Sequence, residues 1–276
     1  MSSCPCRSIF ANVKLLTLTG YEREISHVHA ISGLRLILPC GGVVHSMNSE
    51  LKRVGLLGGT FDPVHNGHLS LAAETMQLFD LQKVLFIPVS QSPHKIHYKP
   101  TSSKHRVAML ELALEQKTAL SIELLEIEKG SVSYTIETIS RLKERYPDWE
   151  FFLILGADAF MVMDTWKSYA DIFKLCHVLV GTRPDTKLEL PAKLRQTLGL
   201  KKTPFEKNND PLLITLNPAT GKTIRLYHIP PQDISSSGIR HRVQAGKEIK
   251  NLLPPAVDHY IIKNRLYRTE FPPIMV

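Results

Sequence analysis

Residues 58–68 read Gly58-Gly59-Thr60-Phe61-Asp62-Pro63-Val64-His65-Asn66-Gly67-His68, and this stretch is the most informative one in the chain. It follows the short apolar run at 54–57 and precedes an apolar-periodic segment that begins at Leu69. That order predicts a strand, a glycine-rich turn and a helix start. The glycines let backbone amides approach a ligand closely, and the helix points free N–H groups and its positive dipole end at the same place. The stretch therefore predicts a phosphate site.

Two imidazoles lie at this predicted helix start. His65 and His68 are three residues apart, so both rings can face one ligand. Imidazoles supply neutral or cationic donors where negative charge develops. A simple tight turn and a zinc site are the alternatives, but neither a cysteine nor a third histidine lies nearby in the sequence to complete a zinc site. The pattern as a whole favours a nucleotide-binding site over these two alternatives.

A second phosphate-binding pattern lies at 234–240, which reads Ile234-Ser235-Ser236-Ser237-Gly238-Ile239-Arg240. Its hydroxyls precede a predicted helix over 238–244 and are candidates for helix N-caps and for phosphate donors. The guanidinium of Arg240 adds a fork of donors that matches phosphate. Alone, such a serine run is most often only a helix cap.

Beyond Val54, apolar runs alternate with helical patterns. The predicted strands cover 83–88, 150–156, 177–181 and 224–229, and the predicted helices cover 103–117, 133–142, 168–175 and 255–263. This alternation predicts an α/β fold with a doubly wound parallel sheet, in which ligands bind outside the carboxyl ends of the strands. Residues 184–223 are expected to form a surface excursion with a short helix near 192–198.

The two motifs in this order resemble the signatures of the HxGH nucleotidyltransferase superfamily. The fuller string GGTFDPVHNGH is similar to that of the bacterial nicotinate-nucleotide adenylyltransferases. The resemblance implies a Rossmann-like nucleotidyltransferase fold in a single domain over 51–270. It implies that AMP passes from ATP to nicotinate mononucleotide in NAD biosynthesis, giving deamido-NAD and pyrophosphate. It also implies Mg²⁺ bound mainly through the ATP phosphates, with no metal site made by the protein.

The resemblance also implies which residues act. His65 and His68 would be catalytic. The implied ATP ligands lie in both motifs: Gly58, Gly59, Thr60, Phe61, His65, Gly67, His68, Ile234, Ser235, Ser236, Ser237 and Arg240. Ser237 stands where the family usually has threonine, and the hydroxyl is retained.

The implied ligands of the mononucleotide and its phosphates are Lys95, Tyr134, Thr135, Gly156, Asp158, Trp166 and Arg183. Free amides at the helix start near Tyr134 and Thr135 suit the nicotinate carboxylate. Asp158 follows a predicted strand, where an acidic residue commonly binds ribose, and Trp166 matches a tryptophan that stacks on the pyridine ring. The sequence leaves two alternatives for Arg106, which are a ligand of phosphate and a charged residue on the surface.

Residues 1–50 match none of these patterns. They lack sustained helical or alternating periodicity, and the family's first strand normally lies near its initiator. We expect an unstructured extension, explained by a true start at Met47. An organelle-targeting or regulatory arm is the alternative.

Charge, apolar runs and cysteine content limit the classes of partner and the cellular location that the sequence allows. The formal charge of +8 suits a polyanionic small substrate, nucleic acid or an anionic membrane. Because the chain has neither a dense basic block interleaved with aromatics nor an apolar run that spans a bilayer, we expect no nucleic-acid and no membrane partner. Four scattered cysteines favour a cytoplasmic location.

Several alternatives stay open at this point. They are another adenylyltransferase of the superfamily, for pantetheine phosphate or nicotinamide mononucleotide, and a non-catalytic nucleotide sensor or synthetase-like RNA binder. The intact phosphate signatures disfavour the last two. The oligomeric state is also open, and a homodimer is compatible with the sequence.

Overall fold

The computed structural model describes residues 51–91, 99–182, 192–197, 199, 212–215, 221–230 and 233–268. The expected N-terminal extension over 1–50 lies outside these residues, as do Lys95 and Arg183.

A sheet of seven strands organises the part of the chain that is described. The strands are β1 (Lys52–Gly59), β2 (Lys83–Pro88), β3 (Leu120–Ile122), β4 (Trp149–Gly156), β5 (His177–Thr182), β6 (Leu212–Thr215) and β7 (Thr223–His228). Their spatial order is β3-β2-β1-β4-β5-β7-β6. All neighbours pair in parallel except β6, which pairs antiparallel with β7 at the edge. The predicted parallel sheet is confirmed, with one antiparallel edge strand added.

Helices follow most of the strands. The described helices are α1 (Asn66–Leu78), α2 (Ser103–Leu114), α3 (Leu125–Lys129), α4 (Thr135–Arg145), α5 (Ala157–Met161), α6 (Tyr169–Leu175), α7 (Ala192–Thr197), α8 (Ser236–Gln244) and α9 (Pro255–Lys263). A short 3₁₀ helix covers Met163–Thr165. None of the described helices has the length and apolar character that a membrane span requires.

Both faces of the sheet are covered, which is why its central strands are apolar throughout. In β4, Phe151, Leu153 and Leu155 belong to one buried cluster, together with Ile139 of α4 and Ile172 of α6. The alternate positions Phe152 and Ile154 belong to a second cluster, with Met109 of α2 and Ile261 of α9. Side chains alternate between the faces of a strand, so a strand buried on both sides reads as one continuous apolar run. The predicted doubly wound architecture follows from this pattern.

Several described elements differ from the sequence-based expectations. Strand β3, helices α3 and α5 and the 3₁₀ helix were not predicted, because three to five residues are too few to show a period. Strand β6 lies within the predicted surface excursion over 184–223, and its pairing with β7 corrects that expectation locally. Strand β6 has only four residues, which are too few to show a sustained alternation in the sequence.

Candidate active site

A cleft of about 280 Å³ opens at the carboxyl ends of the central strands. Its floor is formed by the ends of β1, β2 and β4, through residues such as Gly59, Ile87 and Leu155. Tyr134 and Trp166 contribute to its walls. Strand β1 lies between β2 and β4, where the strand order reverses, and ligands of doubly wound sheets bind at this point.

The glycine-rich turn is shaped by packing beneath it. The side chain of Phe61 is buried, and a Cβ on Gly59 would lie 2.9 Å from its ring. Gly59 is therefore required by the close approach of Phe61. A Cβ on Gly58 would meet nothing within 4 Å, so that glycine leaves open space at the cleft. Phe61 as a whole is only 1% exposed, so it packs beneath the turn.

His65 and His68 are brought together at the start of α1, as their spacing predicts. His65 is the N-cap residue, and the two rings stack with their centroids 3.7 Å apart. The His65 amide donates to Nδ1 of His68 at 3.3 Å. When the ring of His68 is neutral, its proton therefore lies on Nε2, which is left as a donor. Nδ1 of His65 is buried and has no hydrogen-bond partner among the described residues.

Both imidazoles are neutral at physiological pH. Burial lowers the pKa of His65 from 6.5 to about 4. Burial, and then the charge of neighbouring His65, hold the pKa of His68 well below its ordinary value. The pair therefore offers N–H donors rather than fixed positive charges, and neutral donors can interact with negative charge as it develops.

A second, smaller cavity of about 170 Å³ lies beside the histidines. It is lined by His65, Gly67 and His68 from the first motif and by Ile234 from the second, together with apolar residues of α1 and of the segment after β7. The two histidines therefore border a cavity that is distinct from the larger cleft.

The second motif contacts the first directly, across 173 and 178 residues of sequence. Ser236 Oγ donates to the carbonyl oxygen of Pro63 at 2.9 Å, and Arg240 Nη1 donates to the carbonyl oxygen of Asp62 at 2.7 Å. Ser235 is the N-cap of α8, because its Oγ accepts a hydrogen bond from the Gly238 amide. Ser237 is exposed. The predicted cap is therefore present, and Ser236 and Arg240 also hold the turn of the first motif.

Asp62 and Arg106 brace this turn, and neither role was anticipated from the sequence. Asp62 Oδ1 accepts from Tyr267 Oη at 2.7 Å, and Oδ2 accepts from the Thr101 amide at 3.0 Å. Arg106 is only 1% exposed and donates to the carbonyl oxygens of Thr60, Val89 and Thr101. Both alternatives for Arg106, a phosphate ligand and a surface charge, are therefore wrong. These contacts join residues far apart in the chain, so no local pattern signals them.

The start of α4 forms one wall of the larger cleft. Tyr134 is the N-cap and Thr135 the first helical residue, and both line the cleft. The first amides of a helix have no intrahelical acceptor, which leaves donors at this wall. Ser133 is buried before the helix, and its Oγ donates to the Ser131 carbonyl oxygen at 3.3 Å. Backbone N–H groups at the start of α4 therefore lie at this wall of the cleft.

Trp166 also lines the cleft, directly after the 3₁₀ helix. It is partly buried against the core, which leaves part of its ring at the cleft. Lys167 Nζ lies over the Tyr134 ring at 4.5 Å and binds Glu137 Oε1 of α4 at 2.8 Å. This ion pair links the Trp166 segment to the wall that carries Tyr134.

Gly156 and Asp158 lie at the carboxyl end of β4, where they were expected. Gly156 is the N-cap of α5, and Asp158 is an exposed residue in the first turn of that helix.

Glu126 of α3 is a cleft residue that sequence reasoning missed. Its carboxyl group is buried and lines the larger cleft beside Thr138 and Tyr134. Thr138 Oγ1 donates to Glu126 Oε1 at 2.6 Å. A glutamate on a five-residue helix gives no signal of burial in the sequence, because the burial comes from packing of α3 against the sheet and α4.

The donors of both cavities suit phosphate oxygens rather than a metal ion. In the described part of the chain, no three His, Cys, Asp or Glu side chains are grouped so as to hold a metal. Mg²⁺ commonly keeps several waters and is carried by substrate phosphates. The N–H and O–H groups along the cavities are donors, so they suit phosphate oxygens and would leave a Mg²⁺ to be held by the phosphates of a bound nucleotide.

Comparisons with known proteins agree with this geometry. Residues 56–242 match the cytidylyltransferase-like family model. A nicotinate-nucleotide adenylyltransferase of Citrifermentans bemidjiense is 40% identical over 215 residues, which cover 78% of this chain and 98% of the relative. One of Desulfitobacterium hafniense is 36% identical over 223 residues, covering 81% and 99%.

The chain belongs to the nicotinate-nucleotide adenylyltransferase family. The resemblance drawn from the two motifs is thereby confirmed. The fold agrees with that of the nicotinic acid mononucleotide adenylyltransferase of Plasmodium falciparum, solved in complex with NaAD, with a TM-score of 0.58. That match covers 78% of this chain and 97% of the other at 19% identity, so it supports the adenylyltransferase fold alone.

Proposed function

We propose that this chain transfers the adenylyl group of ATP to nicotinate mononucleotide, producing deamido-NAD and pyrophosphate. The observation that carries the proposal is the meeting of the two motifs. Ser236 and Arg240 bind the carbonyls of Pro63 and Asp62, immediately before the stacked histidines. A nucleotide-sized site with two cavities results, one beside His65 and His68 and one between Tyr134 and Trp166.

The two cavities suggest how the substrates divide. The cavity beside Ile234 and the histidines would take part of ATP, whose phosphates would extend toward Gly58, Gly59 and Thr60 at the larger cleft. The part of that cleft lined by Tyr134 and Trp166 would take the pyridine end of the mononucleotide. Trp166 offers an aromatic face to the pyridine ring, and the first amides of α4 offer donors to its carboxylate. Asp158 is exposed at the carboxyl end of β4, where it would accept from a ribose hydroxyl.

The reaction needs no covalent enzyme intermediate. An oxygen of the mononucleotide 5′-phosphate attacks the α-phosphorus of ATP, the bond from that phosphorus to the bridging oxygen breaks, and pyrophosphate leaves. Little covalent chemistry is left for the protein, so catalysis comes from positioning and from stabilising charge. The Nε2–H of His68 would donate to an oxygen of the α-phosphoryl group, and His65 would support it from the stacked position.

Mg²⁺ would neutralise charge on the phosphate oxygens of the nucleotide when it is bound. Its ligands would be those oxygens and water, since the described cleft residues offer mainly N–H and O–H donors. Lys95 and Arg183, which lie outside the described residues, are proposed to add positive charge near the phosphates. A cytoplasmic location is part of the same proposal.

The test is product analysis after incubation with ATP, Mg²⁺ and nicotinate mononucleotide. We expect deamido-NAD and pyrophosphate in equal amounts, and neither product when one substrate is omitted. A His259→Ala variant is the matched control, because His259 is exposed on α9, and it should keep full activity. ATP turnover without deamido-NAD, or no turnover with any mononucleotide, would contradict the proposal.

A further inference from the structure

Glu126 is a buried acidic group inside a cleft that is proposed to take an anion. It is 7% exposed and lines the cleft with Tyr134, Thr135 and Trp166. Its Oε1 accepts a hydrogen bond from Thr138 Oγ1 at 2.6 Å. Its Oε2 is buried with no hydrogen-bond partner in the described part of the chain. Among the described residues, one oxygen of this carboxyl group therefore has a hydrogen-bond partner, and the other has none.

The two protonation states of this group have opposite consequences for the cleft. An ionised carboxylate would leave a buried acceptor unsatisfied and would repel an anionic ring substituent. A neutral carboxyl keeps Oε1 as the acceptor for Thr138 and turns Oε2 into a donor. That donor then needs an acceptor, which a pyridine carboxylate would supply.

The charged groups around Glu126 do not reverse this preference. Lys129, on the same helix, binds Glu137 Oε2 of α4 at 2.8 Å, and Lys167 binds the other oxygen of Glu137. Arg141 and Tyr134 complete the titratable groups that line the small cavity behind Glu126. Burial raises the pKa of Glu126, against the smaller opposing effects of the Thr138 hydrogen bond and of Lys129.

We propose that Glu126 determines specificity by donating a hydrogen bond, as a neutral carboxylic acid, to the carboxylate on the pyridine ring of the substrate. The inference rests on the proposed function and deepens it. The opposite state would have the opposite effect, because an ionised Glu126 would accept from the NH₂ group of a nicotinamide ring. The charge on one buried side chain thus selects between an acidic and an amide substituent.

The test compares two substitutions of Glu126 with a control. Glu126→Gln keeps an acceptor for Thr138 and an N–H donor for the substrate, whereas Glu126→Met has a similar length without either. Glu128→Gln is the matched control, since Glu128 lies on the same helix and is exposed. For each variant, kcat/KM is measured with nicotinate mononucleotide and with nicotinamide mononucleotide at saturating ATP.

We expect Glu126→Gln to keep kcat/KM for nicotinate mononucleotide within about threefold of the unmutated protein. Glu126→Met should lose about tenfold or more with that substrate and clearly less with the amide, because only the carboxylate loses a charge-assisted hydrogen bond. A severalfold gain with nicotinate mononucleotide in Glu126→Gln would overturn the proposal, as it would reveal an ionised, repelling Glu126. No change in Glu126→Met, or an equal loss with both substrates, would also overturn it.

A pH profile keeps the proposal testable if Glu126→Met does not fold. The unmutated protein should lose kcat/KM for nicotinate mononucleotide as rising pH ionises Glu126, and Glu126→Gln should lack that component of the decline. Identical profiles would refute the role of Glu126. Failure of the proposed function is separate, since it would appear as absent deamido-NAD formation in the unmutated protein.

Discussion

Replacement of Arg106 by methionine is expected to destabilise the protein strongly. The Arg106 side chain is 1% exposed and donates at 2.8–2.9 Å to three carbonyl oxygens, those of Thr60, Val89 and Thr101. A buried acceptor that loses its partner costs about 1–3 kcal/mol, so three such acceptors set a range of roughly 3–9 kcal/mol. Relief of the buried charge offsets part of this cost. We therefore expect the free energy of unfolding to fall by about 3–5 kcal/mol.

The assay for Arg106→Met is urea denaturation, followed by circular dichroism. Lys104→Met is the matched control, because Lys104 is exposed on the same helix, and it should change stability by no more than about 0.5 kcal/mol. The midpoint of Arg106→Met should shift while the slope with urea stays constant. A loss below about 1 kcal/mol would refute the view that Arg106 braces the turn, because orphaned carbonyls would then carry almost no cost.

Three further predictions concern the histidines and the N-terminal residues. His68→Ala should lower kcat on the order of 100-fold with little change in KM, and a loss below about tenfold would indicate a mainly structural role. Burial lowers the pKa of His65 to about 4, so the unfolded chain binds more protons below about pH 6.5, and urea denaturation should show stability falling as pH drops toward 4. A chain begun at Met47 should fold and transfer adenylyl groups like the full chain, and a large loss of either would show that residues 1–46 contribute to folding or activity.

The sequence was sufficient to predict the parts of the site that lie within single motifs. The strand–turn–helix order around Gly58 and the proximity of His65 and His68 follow from local spacing, whereas the stacking of the two rings was not predicted. The capping role of Ser235 also follows locally, since an N-cap bonds within its own helix turn.

Features that depend on contacts distant in the sequence could not be predicted in the same way. Asp62 binds Tyr267 across 205 residues, and Arg106 reaches the Thr60 carbonyl across 46. Nothing near Arg106 in the sequence distinguishes a buried guanidinium from an exposed one on an amphipathic helix. Glu126 was missed for a related reason: α3 is five residues long, and its burial is imposed by neighbouring elements.

Substrate preference tests the central claim most directly. Pyrophosphate release is measured with ATP and, in turn, nicotinate mononucleotide, nicotinamide mononucleotide and phosphopantetheine. The donors at the start of α4 favour a carboxylate, and so does Glu126 in the neutral state that we propose. We therefore predict a kcat/KM for nicotinate mononucleotide at least about tenfold above that for the amide, a difference of roughly 1.4 kcal/mol. Equal activity with the two mononucleotides, or a preference for phosphopantetheine, would contradict the account.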